Sequence, residues 1–303
     1  MSQHLIVGAY AAYSPHADSG EPTILHALAS RPIVGGLELP QVDHVVAHPS
    51  WRPGWDHVIT AIPGTMGRIA TDPAFGLASP HSAGRQAALD FAAQARQDIA
   101  ALREQGHRVQ AVEFHSGPSN TADADAMAAS MATISGWDWG EDLVFLLEHC
   151  DATTPDHQGE KAFLQFEEEL ALVDAAADPR WRIGINWGRS ALEGRNASLP
   201  LSHIQAASDA GLLGAVFFSG ASGTDSDFGV WLDRHLPPAG LPFSPPGTLL
   251  GAQEISAALD AAGDDVILGL KFGLRPDSLP ADERAARLGA IIDLFAALLP
   301  DRV

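Results

Sequence analysis

The chain has 303 residues, 46% of them hydrophobic, with 18 Lys and Arg against 38 Asp and Glu and a formal net charge of −20. That balance excludes a nucleic-acid partner, which needs clustered cations to displace phosphate counterions, and disfavours an anionic membrane surface. The single cysteine, Cys150, cannot close an internal disulfide and fits a reducing compartment.

Met1 to Ala11 has no basic n-region and no long apolar h-region, and no stretch approaches ~18 uninterrupted apolar residues. A soluble, cytoplasmic chain is therefore expected. The Pro/Gly-rich run Leu236 to Gly247 is short, and Leu241 and Phe243 interrupt it, so it reads as an ordered loop rather than a linker.

Short apolar runs alternate with longer amphipathic segments. Leu5 to Tyr10 is expected as the first strand, Thr23 to Ser30 as a short helix, Ile33 to Leu39 as strand two and His57 to Ile62 as strand three. Pro40, Pro49 and Pro53 make the segment between strands two and three an irregular insert, since each proline lacks an N–H and clashes with a preceding helical turn. Ser82 to Gln105 has helical spacing and stops at Gly106, a C-cap signal. Val109 to Phe114 is strand four and Ala122 to Ile134 a helix. Leu143 to Leu147 is strand five, and Glu160 to Ala177 a helix with the acidic run Glu167, Glu168 and Glu169. Ile183 to Asn186 is strand six, Ser202 to Ala210 a helix, and Leu213 to Phe218 strand seven. Leu250 to Ala262 is a helix, Val266 to Leu270 strand eight, and Ala281 to Leu299 the closing helix.

Eight such units predict an α/β fold, a single (β/α)8 TIM barrel over residues 1–303, rather than an open doubly wound sheet. An open nucleotide-binding sheet would carry a phosphate loop, and neither GxGxxG nor GxxxxGK[ST] occurs. No cofactor is expected.

In a parallel barrel, side chains at the C-terminal strand tips converge on one mouth. Those tips are Glu38 in strand two, His115 after strand four, Glu148 after strand five, Asn186 in strand six, Ser219 after strand seven and Lys271 after strand eight. Glu148 and Lys271 stand out, because a charge at a barrel rim is usually paired or used. Strands five and eight lie three apart around the ring, so the two side chains are expected to meet across the mouth. Lys271 admits three roles: partner of Glu148, anion ligand, or a depressed-pKa amine for Schiff-base or general-base work.

His149 and Asp151 follow Glu148, but with no HExxH, CxxC or HxH they do not make a metal site. His157 to Glu160 reads as a helix-capping segment, and Cys150 as a small packed residue. Without a GxSxG elbow, that form of serine nucleophile is unsupported. Trp51, Trp55, Trp137, Trp139 and Trp187 fall near expected loops and, as a set, suggest stacking platforms for sugar faces.

The motifs IPGTM (62–66), FGLAS (75–79), Gly84-Arg85, EHCDA (148–152) and FEEEL (166–170), with the strand order, resemble a family of the domain-of-unknown-function 4862 type within the xylose isomerase-like TIM-barrel superfamily. That resemblance implies the barrel and a sugar-sized polar pocket. Superfamily members typically hold a divalent metal on Glu, Asp, His or Gln, and Glu at tips five to eight. Here only Glu148 matches, while Asn186, Ser219 and Lys271 replace the rest, so no metal is expected.

The leading functional expectation is a sugar or sugar-acid isomerase or epimerase that moves a proton next to a carbonyl. Glu148 would be the base, Lys271 and His115 the electrophilic partners. Glu38, Asn186, His149, Trp187, Ser219 and Arg85 would bind substrate. A Schiff-base lyase or aldolase using Lys271, and a sugar-binding barrel without chemistry, are the alternatives. The partner is a small-molecule sugar or sugar acid, and homo-oligomer formation stays open.

Overall fold

A computed structural model describes residues 4–15, 20–140 and 142–299. Eight strands run in order: β1 (Leu5–Val7), β2 (Val34–Pro40), β3 (Asp56–Thr60), β4 (Arg108–Phe114), β5 (Val144–His149), β6 (Trp181–Asn186), β7 (Leu213–Phe218) and β8 (Ile267–Leu270). Each pairs in parallel with its neighbours, and β8 closes back on β1. The architecture is the expected (β/α)8 barrel. Residues 1–3 of the amino-terminal stretch considered as a leader lie outside the described residues.

Nine α-helices cover the described barrel: α1 (Glu21–Ala29), α2 (Ile62–Ile69), α3 (Ser82–Glu104), α4 (Ala124–Ser135), α5 (Phe166–Asp174), α6 (Trp187–Gly194), α7 (Ser198–Asp209), α8 (Ala252–Ala262) and α9 (Ala281–Leu298). Gly106 takes the left-handed φ of +86° that ends α3. The insert between β2 and β3 carries no helix among the described residues, as its prolines require.

Four local expectations need correction. Strand one stops at Val7, and Ala9–Ala12 winds into a 3-10 turn. Strand three stops at Thr60, because Ile62-Pro63 opens α2, where a proline's missing N–H costs nothing. The helix expected over Glu160 to Ala177 spans only Phe166–Asp174. Gln165 caps it with Glu168 in a capping box, so His157 to Glu160 is loop rather than cap. That loop is held by the Asp151 carboxylate, which accepts the Lys161 N–H at 2.9 Å. Finally, α6 occupies a stretch read as a loop: it is only eight residues long and starts directly after the last residue of β6, with no spacer between them.

Alternation along each strand divides the apolar side chains into two sets. Val7, Leu39, Ile59, Val112, Phe114, Phe145, Leu147, Ile183, Ile185, Val216 and Phe218 face the helices. Ile6, Val58, Ala111, Leu146, Ala215 and Phe217 form a separate small cluster, the floor of the lumen. Counting upward by two from that floor gives Glu38 on β2 and Thr60 on β3. It also gives Glu113 and His115 on β4, Glu148 on β5, Asn186 on β6, Ser219 on β7 and Lys271 on β8. The lumen is dry below and polar above.

Glycines let the wall close. A Cβ on Gly36 would sit 1.7 Å from the Asp56 carbonyl oxygen, whereas one on Gly67 in α2 would meet nothing within 4 Å. Gly36→Ala is therefore expected to cost about 1–3 kcal/mol or more. Gly67→Ala, a helix-interior replacement, should gain about 0.5–1 kcal/mol. Urea denaturation midpoints of the two variants should move in opposite directions; equal midpoints would contradict this packing of β2 on β3.

Candidate active site

The upper lumen is a closed set of charged and polar groups. Glu38, Thr60, Glu113, His115, Glu148, Asn186, Ser219 and Lys271 are all buried. Burial of so many polar side chains is costly unless each finds a partner, so the pairing pattern identifies what the site is built to hold.

Glu148 is the hub. Its Oε2 lies 2.6 Å from His115 Nε2 and 2.7 Å from Arg189 Nη1. Asn186 Nδ2 approaches Oε1 at 3.4 Å, and Ser219 Oγ donates to Asn186 Oδ1 at 2.8 Å. Arg189 comes from the first turn of α6, whose N-terminus is capped by Asn186 itself. Its Nη1 also reaches Cys150 Sγ at 3.3 Å, and its Nε reaches Asp233 Oδ2 at 3.1 Å. Burial alone would raise the Glu148 pKa, but the Arg189 guanidinium and the His115 hydrogen bond hold it well below the usual carboxylate range. Burial keeps His115 below its ordinary value, which favours a neutral ring donating from Nε2 to the carboxylate, and Nδ1 has no partner among the described residues. Burial pushes the Cys150 thiol up, which favours its protonated form.

Among the described residues Glu148 and Lys271 make no direct ion pair, although, as expected, each favours the charged form of the other. Lys271 Nζ is bound instead to Glu38 Oε1 at 2.7 Å and lies 5.1 Å from the centroid of the Tyr10 ring. Glu38 is the nearer acid because Gly8 leaves room for it: a Cβ there would sit 2.4 Å from Glu38 Oε2 and 3.2 Å from Lys271 Cγ. Burial disfavours the ammonium, but Glu38 and then Tyr10 outweigh it and raise the Lys271 pKa. The ion pair with Glu38 favours the ammonium form of Lys271.

Glu113 on β4 went unnoticed in the sequence. It is fully buried and neither carboxyl oxygen has a partner at full hydrogen-bond geometry, although the neighbouring Thr60 hydroxyl slightly favours its charged form. Burial, reinforced by Glu148 and Glu38, holds it well above the usual range, which favours the protonated acid. In the register Glu113 faces Leu146, two residues below Glu148 on the adjacent strand. Alternation inward by two from Ala111 would have found it.

Other expected ligands point elsewhere. His149 faces out of the barrel into the wall, as the residue next to an inward Glu148 must. Its Nδ1 is 2.6 Å from Glu169 of α5, its Nε2 2.9 Å from Glu193 of α6, and Ser116 also donates to Glu169. His203 of α7 stands edge-on at 4.9 Å, stacked on Phe166. Trp187 is buried with the outward set. Arg85 lies at the start of α3, where it donates to the Ser79 carbonyl at 2.8 Å; among the described residues its hydrogen bonds do not reach the lumen.

The tryptophan platforms are not at the mouth. Trp51 packs on His57 and His107 at the N-terminal strand ends, and Trp55 donates to the Val34 carbonyl. Trp137 and Trp139 stack in the connection into β5. Both stretches lead into the N-terminal ends of strands, β3 and β5, opposite the tips. A cleft of about 760 Å3 likewise lies outside the lumen, between α4, α5 and the start of β6, lined largely by alanines. It holds none of the charged lumen residues and is not the chemical centre.

The wall cluster titrates with a definite sign. Burial opposes the His149 imidazolium, but Glu169 and Glu193 overcome it and push the pKa up to about 10. A raised folded-state value stabilises fully below the ordinary 6.5, and that contribution is lost as pH climbs towards about 10. Urea denaturation should show wild type losing stability over that window more steeply than His149→Gln. The variant itself should start about 3–5 kcal/mol lower, since it leaves buried carboxylates unpaired. Parallel slopes would mean that the imidazole is not charged.

A divalent cation at tips five to eight does not fit these residues. Glu148 is already shared by a guanidinium and an imidazole, Asn186 and Ser219 bond to each other, and an ammonium stands at tip eight. The comparisons with known proteins agree on the fold and the family. Solved structures that cover nearly the whole chain include the IOLI protein with a binding zinc atom, at TM-score 0.60 and 10% identity over 98% of this chain and 99% of that one. An L-ribulose 3-epimerase matches at TM-score 0.57 and 14% identity, covering 99% and 98%. A family 2 AP endonuclease from Brucella melitensis matches at TM-score 0.58 and 13% identity, covering 96% and 99%. Among the described residues no helix is long and apolar enough to cross a membrane. Uncharacterized protein STM3670 of Salmonella typhimurium (strain LT2) is 37% identical over 279 residues, 86% of each chain. The model of the family described as Domain of unknown function (DUF4862) matches residues 6–287, and the chain belongs to that family.

Proposed function

We propose that this chain is a sugar isomerase or epimerase that moves a proton next to a carbonyl without the divalent metal usual in its superfamily. The observation that carries this reading is a pair of buried carboxyl groups on adjacent strands in opposite surroundings. Arg189 and His115 bond Glu148 and hold its pKa down, whereas burial and the nearby acids push that of Glu113 up. Environments that push two carboxyl pKa values apart supply an acid and a base in one site.

In this mechanism Glu148 takes the proton from the carbon next to the carbonyl, and negative charge passes to the substrate oxygen as an enediolate forms. Arg189 sits on the Glu148 oxygen that loses charge, and Lys271 lies across the lumen, so both cations can follow the charge onto the substrate. His115 orients Glu148 through Nε2, and its open Nδ1 accepts a substrate hydroxyl. Glu113 returns a proton to carbon: to the opposite face of the same carbon for epimerisation, or to the adjacent carbon for isomerisation, where the hydroxyl proton also passes from one enediolate oxygen to the other. Proton exchange with solvent then resets the two carboxyl groups. Glu38 and Asn186 hold hydroxyls. The epimerase neighbours lend the substrate class, a small sugar or sugar acid. The Schiff-base alternative needs a neutral amine, and the Glu38–Lys271 ion pair works against one.

A panel of aldoses, ketoses and sugar acids incubated in heavy water tests the reading. Mass spectrometry should find deuterium washed into the carbon next to the carbonyl, with rates unchanged by chelator. Glu148→Gln should lower the exchange by about 100- to 10,000-fold. Turnover that needs added metal, or a borohydride-trapped adduct on Lys271, would overturn it.

A further inference from the structure

The strongest unassigned feature is a triangle of ligand atoms around one side chain. His115, Glu148 and Cys150 each offer one atom, and the three lie within 4.8 Å of one another. An imidazole nitrogen, a carboxylate oxygen and a sulfur form a donor set suited to a thiophilic divalent ion, and three protein ligands leave a fourth position open. Yet Arg189 Nη1 already bonds two of the three, Glu148 Oε2 at 2.7 Å and Cys150 Sγ at 3.3 Å. It takes the same lone pairs that a metal would need.

We infer that Arg189 supplies from the chain itself the positive charge that a divalent cation would bring to His115, Glu148 and Cys150, and that removing it uncovers a latent metal site. Two further observations support this. The guanidinium is fixed in place rather than resting there: α6 begins on the Asn186 cap, and Arg189 Nε is anchored by Asp233 at 3.1 Å. Asp233 is independently held by Lys161 at 3.2 Å and His235 at 3.0 Å, so it keeps partners when Arg189 is gone. A dication and a guanidinium on one carboxylate oxygen repel strongly at these separations, so occupancy is exclusive. The inference concerns the cation alone and stands whatever reaction the lumen performs.

Cobalt(II) titration of the full chain tests it, read by the thiolate-to-cobalt charge-transfer absorption. Wild type should show no such band, and neither should Cys150→Ser. Arg189→Leu should bind cobalt stoichiometrically with the band, its affinity at least about 100-fold tighter than wild type, the upper end of what a ligand's neighbour ordinarily contributes. Arg189→Leu/Cys150→Ser should lose the band again. A wild-type band abolished by Cys150→Ser overturns the inference, because metal would then displace the guanidinium. Folded Arg189→Leu that takes up no cobalt overturns the latent site. Should Arg189→Leu fail to fold, Arg189→Gln, which keeps a polar group but no charge, is titrated in its place and read by the same two outcomes.

Discussion

An ionised carboxylate cannot stay at the centre of a barrel without a cation beside it, and the Glu148–Arg189 pair answers that constraint. The surrounding arrangement follows from this pair. Asn186 caps α6 so that Arg189 emerges at the right height, Ser219 fixes Asn186, and Asp233 draws the far side of the guanidinium outward. Lys271, with Glu148 already satisfied, pairs with Glu38 over the gap left by Gly8. Arg189 and Lys271 are thus each committed to a lumen carboxylate, Glu148 and Glu38, and burial pushes the Glu113 pKa up.

The architecture was legible in the sequence because it rests on short-range patterns. Apolar runs such as LVFLL and LGAVFF have strand length, the long α3 shows its period over six turns and ends at Gly106, and three prolines mark the insert. The polar tips were legible for the same reason: each stands where an apolar run stops. What could not be read was pairing. Glu148 and Lys271 look like partners when only ring position is counted, but Gly8 and the reach of Arg189 decide otherwise, and both act from other segments. Arg189 was missed because α6 is short and follows β6 without a spacer, so the stretch reads as a strand-end loop. The helix over FEEEL was overextended because acidic residues do not reveal where a mouth-crossing loop ends.

Alternation explains a further misreading. Glu148 and His149 are adjacent, so one enters the lumen and the other enters the wall. The two sides use the same chemistry for different ends. Inside, a carboxylate is held by a guanidinium and a neutral imidazole. Outside, an imidazolium is clamped between Glu169 and Glu193, tying α5 and α6 to β5. The wall cluster is thereby the mechanical support of the inner one, because α6 carries both Glu193 and Arg189.

Crystals grown in manganese and measured near the manganese absorption edge test the central claim, that the lumen carries its own cation. The account predicts no anomalous peak within coordination distance of Glu148, with the Arg189 guanidinium seated on the carboxylate and on Cys150. A peak on Glu148 with Arg189 swung away would contradict it.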